Sequence, residues 1–162
     1  MTAYNFTLIT AKPHWSAGDL QAITAYYDLA GTALANGDTI TATGMIPGDG
    51  VKIYDIYTFH TELDSNATPT GTYNVGDANS AARFMSSVPM GINGVTTSGF
   101  QITNRSNFAP TSTNGVVTTG LGYIYTGTTA TDLILTVNAA VATGTTTGVV
   151  FLVVLYRCVG NS

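Results

Sequence analysis

The stretch Asn36-Gly37-Asp38-Thr39-Ile40-Thr41-Ala42-Thr43-Gly44-Met45-Ile46-Pro47-Gly48-Asp49-Gly50-Val51-Lys52-Ile53-Tyr54-Asp55-Ile56-Tyr57-Thr58-Phe59-His60 decides how the chain is read. It alternates turn, strand, turn and long strand. Asn36-Gly37-Asp38 supplies the positive φ and the side-chain-to-backbone bonds of a tight turn, and the β-branched run Thr39 to Thr43 follows at once. Pro47-Gly48-Asp49-Gly50 is a second turn, so the two strands either form an antiparallel hairpin or cross between sheets. In the long strand, Val51, Ile53, Tyr57 and Phe59 share one face, with Asp55 interrupting them, and Lys52, Tyr54, Ile56, Thr58 and His60 share the other. A strand of a two-sheet sandwich normally shows one face to water, and neither face here is cleanly polar. Either a bulge near Asp55 switches the register, or both faces are covered and a neighbouring subunit is the expected cover.

Outward from this unit the same pattern repeats. Upstream, Ile23 to Leu29 reads as a strand, and residues 1–18, with Pro13, His14 and the single Trp15, read as an extended N-terminal arm. Either the segment reaches a neighbouring subunit, with Trp15 as its anchor, or it packs as a first strand on its own domain. Downstream, strands are expected at Thr70 to Val75, Gly122 to Thr126, Asp132 to Val137 and Val149 to Arg157. The last is apolar on both faces, so it belongs at the centre of a sheet or under a cover. Ala78 to Met85 has the composition of one or two helical turns. Residues 86–114, rich in Gly, Ser, Asn, Pro and Thr, predict long loops with at most one or two strands. About eight short strands with little helix fit an all-β fold, a jelly-roll-like β-sandwich with long loops and at most a short helix, occupying residues 19–162 as one domain.

Asp, Glu, Lys and Arg make up 9% of the 162 residues, against about 25% in soluble domains. Two explanations fit: threonine hydroxyls wet the surface, or much of the surface is buried in a permanent assembly, where charge is depleted. Net charge is −4, and the five basic residues are scattered, so no stripe exists to neutralise nucleic-acid phosphates. The start lacks the basic and apolar regions of a signal peptide, and the run Val149 to Leu155 is far too short to span a bilayer. No membrane partner is expected.

Residues for chemistry are few. His14 and His60 stand in no ligand spacing, Glu62 is the only glutamate, and a His60/Glu62 pair would give a metal two ligands where a site needs more. Calcium at Asp49, Asp64 or Asp77 would lack the repeated ligands of a binding loop. No catalytic residue, metal or cofactor is expected, and the chain reads as a non-enzyme. The nine tyrosines raise a glycan-binding alternative, in which aromatic platforms stack on sugars, although most of them fall in strands where packing is the commoner use.

Four segments together carry a resemblance: Tyr27-Asp28-Leu29, Asn36-Gly37-Asp38-Thr39-Ile40, Met45-Ile46-Pro47-Gly48-Asp49-Gly50-Val51-Lys52-Ile53-Tyr54-Asp55, and Thr72-Tyr73-Asn74-Val75-Gly76-Asp77-Ala78. With the terminal Gly148-Val149-Val150-Phe151-Leu152-Val153-Val154-Leu155-Tyr156 strand, they resemble small structural proteins of tailed bacteriophages. The resemblance covers about two thirds of the chain. It implies a head decoration, or cement, protein, often a homotrimer, which is made in the host cytoplasm and clamps the capsid exterior over junctions of the major capsid protein. The glycan-binding alternative then becomes a module of a tail fibre or spike. Contact residues expected on this view are Trp15 on the arm and Tyr54 and Ile56 on the second face of the long strand.

Overall fold

The computed structural model describes residues 1–9, 19–48, 50–91, 102–105, 111–113 and 116–159. Thirteen strands and no helix occur among them: β1 (Ala3–Asn5), β2 (Thr7–Leu8), β3 (Leu20–Asp28), β4 (Thr39–Ile46), β5 (Val51–His60), β6 (Thr72–Asp77), β7 (Ser80–Pro89), β8 (Ile102–Arg105), β9 (Thr111–Thr113), β10 (Val116–Thr119), β11 (Ile124–Tyr125), β12 (Thr131–Ala139) and β13 (Val149–Cys158). They form a β-sandwich. One sheet has the order β1-β4-β12-β6-β7, and the other has β11-β5-β13-β3-β2 with β8 also paired to β5. β9 and β10 make a separate antiparallel pair.

The Pro47-Gly48 turn carries the chain from one sheet to the other, from β4 into β5. β4 runs on through Gly44, which sits at φ 62° while its N–H donates to the Asp132 carboxylate at 2.7 Å. Only glycine takes that φ without steric cost, so the strand bends there and runs on to the Pro47-Gly48 turn. The core fills with the inward rows of both sheets: Ile40, Ala42, Tyr73, Val75, Phe84, Leu133 and Leu135 from the first, Ile23, Ala25, Ile53, Ile56, Leu152, Val154 and Tyr156 from the second. β13, apolar on both faces, lies between β5 and β3 at the centre of its sheet.

Residues 3–8 are tied to the domain at both sheets. β1 runs parallel to β4, β2 pairs with β3, and Phe6 between them is buried while its N–H donates to Thr41 O at 2.8 Å. The segment expected as an arm therefore begins as a seam closing one side of the sandwich. Residues 10–18, including Trp15, lie outside the described residues.

The helical turns expected at Ala78 to Met85 do not form. Ala78 and Asn79 form a turn, and Ser80 to Met85 belong to β7, paired antiparallel with β6. Helix propensity of Ala, Arg and Met yields here to tertiary pairing: the Asp77 carboxylate accepts from the backbone of Asn79 and Ser80, turning the chain back into a hairpin.

Candidate functional site

The decisive local feature is in β5. Leu155 stands opposite Asp55, but the next residue along β13, Tyr156, stands opposite Ile53, so Tyr54 is the extra residue of a β-bulge. The bulge reverses the alternation. Val51 and Ile53 point inward before it, Ile56, Thr58 and His60 point inward after it, and Tyr54 is turned out with 42% of its surface exposed. Ile56, expected on the contact face, is instead fully buried at 0% exposure. The physical reason is the shift itself, since one extra residue moves every following side chain to the opposite face.

The same shift brings Tyr57 and Phe59 to the outer face of the second sheet. Phe59 and Phe151 stack with ring centroids 4.8 Å apart, and Tyr26 adds a tilted ring 6.1 Å from Phe151, so an aromatic row crosses β5, β13 and β3. In the sequence, the two apolar faces of the Val149 to Arg157 run were the available signal for this row. What could not be read was that Tyr26 and Phe59 are its neighbours, because each is more than 90 residues away.

The ionisable groups serve the fold. Asp64 is buried and accepts backbone N–H bonds from Asn66, Thr70, Gly71, Ala142 and Thr143 at 2.9–3.3 Å, stitching two loops together. Burial alone would raise its pKa, but the N–H groups of Gly71, Thr143, Ala142 and Thr70 outweigh burial and hold it at about 2. Asp77 forms a buried ion pair with Arg83 at 2.6 Å and accepts from the Tyr125 hydroxyl at 2.8 Å, while the guanidinium lies 4.2 Å over the Tyr123 ring. Neither carboxylate is left open for calcium, and Asp49 lies outside the described residues.

His60 is buried against the edge of the Tyr73 ring, with its Nδ1 2.6 Å from Thr61 O. Burial lowers its pKa against the opposing pull of the Thr61 and Pro89 carbonyls, so the imidazole is neutral and Nδ1 carries the proton it donates. Its Nε2 has no hydrogen-bond partner among the described residues. Glu62 lies past the end of β5, and no group of three His, Cys, Asp or Glu side chains able to hold a metal occurs among the described residues. His14 lies outside them.

No protein family model matches the sequence, and no curated protein matches it either. Solved structures do. A chain in the capsid asymmetric unit of cyanophage Pam1 matches with a TM-score of 0.62 and 26% identity, covering 91% of each chain. In fold, this protein is similar to phage capsid chains. A chain in the capsid of Ralstonia phage GP4 matches with a TM-score of 0.60 and 19% identity over 92% of this chain and 91% of that one, a likeness of fold alone. Both matches run nearly end to end.

Proposed function

We propose that the chain is a virion structural protein that decorates a phage head, binding the outside of the shell and tying neighbouring major capsid subunits together as a trimer. The observation that carries the proposal is the end-to-end likeness to a chain of the Pam1 capsid. The surface chemistry supports it. Lys and Glu lose more side-chain entropy on burial than Thr, Gly or Ala, so a surface poor in charge and rich in small side chains is suited to extended contact. The ionisable side chains with strong partners hold loops and hairpins in place, and the proposed role asks nothing more of them.

A packed head pushes outward on its shell. A decorating protein resists by linking subunits, and it does so without reacting. Interfaces near the standard size of about 1,600 Å² suffice, because once one arm of a symmetric trimer is bound the others find their sites at high effective concentration.

The test is co-sedimentation of the purified protein with heads of its phage that lack it, alongside its mass in solution. Saturable pelleting, with a mass of three chains of 16.8 kDa, is the expected result. A protein that stays in the supernatant as a monomer contradicts the proposal and favours the tail-fibre glycan module.

A further inference from the structure

One end of the second sheet's outer face sets two like charges side by side. The ladder sets Ile124, Lys52, Arg157 and Leu20 opposite one another across β11, β5, β13 and β3, so all four share one face. Ile124, Arg157 and Leu20 are exposed, and Lys52 is half-buried. The bulge adds Tyr54, over whose ring the Lys52 ammonium lies 5.5 Å from the centroid. Val159 stands just past the end of β13, its N–H donating to Gly50 O beside the start of β5. Four of the large apolar side chains exposed among the described residues, Leu20, Tyr54, Ile124 and Val159, therefore gather at this end.

Lys52 and Arg157 are directly opposed like charges, an arrangement that is destabilising in a sheet. A chain with only five basic residues has placed two of them side by side. The ion pair found among the described residues is that of Arg83 with Asp77, so neither Lys52 nor Arg157 has one there. The acidic groups nearest in the ladder are Asp55, opposite Leu155, and Asp19, which precedes Leu20. A carboxylate arriving between the two cations would relieve their repulsion and form charge-assisted bonds with both. A second copy of this chain brings few carboxylates of its own: Asp28, Asp38, Asp64, Asp77 and Asp132 already accept bonds from their own chain, and Asp55 and Glu62 are half-buried.

We infer that this end of the sheet is a docking surface for a different protein chain, one that presents a carboxylate flanked by apolar side chains. The carboxylate lies between Lys52 and Arg157, and the apolar flanks pack on Leu20, Tyr54 and Ile124. The bulge has a purpose on this account, since bulges re-aim side chains and this one turns Tyr54 outward beside Lys52. The inference rests on the head-decoration proposal and names the chemistry of the shell surface that the protein meets.

The probe is heads of the phage lacking the protein, and the readout is pelleted protein against concentration. Leu20→Asp combined with Arg157→Glu changes two exposed positions, and Thr43→Asp, exposed on the other sheet, is the control. The double variant is expected to need at least tenfold more protein for half-saturation, and the control to match wild type. Lys52→Glu is the second variant, should the double variant fail to melt cooperatively, and at least a fivefold weakening is expected of it. Wild-type binding by these variants, or an equal loss in the control, overturns the inference while leaving head decoration standing. Loss of self-association at unchanged head binding assigns the face to a second copy and overturns it too. Wild-type protein that does not pellet overturns head decoration itself.

Discussion

At the scale of single residues, two buried side chains set how the fold responds to acid. The Asp64 carboxylate has a pKa of about 2 in the fold against 3.8 for a free side chain, so its stabilisation is fully present above about 4 and is lost as pH falls through that interval. Asp64→Ala strands five backbone N–H donors, and a loss of about 3 kcal/mol or more is expected in chemical denaturation at pH 7. His60 acts in a higher window. Its pKa is lowered on folding, so the unfolded chain binds the proton more readily, and stability falls as pH drops below 6.5. Denaturation curves at pH 7 and pH 5 should show wild type losing stability, with a shallower loss in His60→Leu. An unchanged slope in that variant contradicts the assignment.

At the scale of elements, the β6–β7 hairpin and the β5 bulge are the features that local patterning could not foresee. A side chain at Gly76 would collide with the backbone of Ser80 and Ala81, and the hairpin closes only because that atom is missing. Arg83 then reaches back to Asp77. Arg83→Met is expected to cost about 3–5 kcal/mol, because it leaves Asp77 buried with its charge uncompensated; a melting curve within a degree or two of wild type would contradict this. The sequence suggested helix here because Ala, Arg and Met favour it, and nothing local announces that Arg83 pairs backward within a hairpin. By contrast, the limits of β5 and β13 were legible to within a residue, and the interruption at Asp55 pointed to a bulge. Which residue it displaced depended on the pairing with Leu155 and Tyr156, about 100 positions away. That distance is why Ile56 was expected outside and lies inside. Deleting Tyr54 joins Ile53 to Asp55 in regular alternation, so the variant should fold, with a melting temperature within several degrees of wild type, and bind heads more weakly. Unfolding of this variant would show that the bulge is a structural requirement of the sheet.

At the scale of the whole molecule, the sandwich was legible from strand spacing and turn residues, whereas the proposed docking surface was legible only in part. Tyr54 is exposed, but its neighbours Leu20, Ile124 and Arg157 come from three other strands and no sequence window contains them. Scarcity of charge pointed to assembly without saying which face assembles. The proposed function gives that scarcity a setting, a shell in which many copies share extended contacts. The most direct measurement of the decoration role is an electron cryomicroscopy reconstruction of the virion beside one of particles lacking this gene. The account expects difference density of this sandwich on the outer surface of the head, bridging major capsid subunits, with the Lys52–Arg157 end of the second sheet against the shell. Difference density confined to the tail, or within the shell floor, would contradict it.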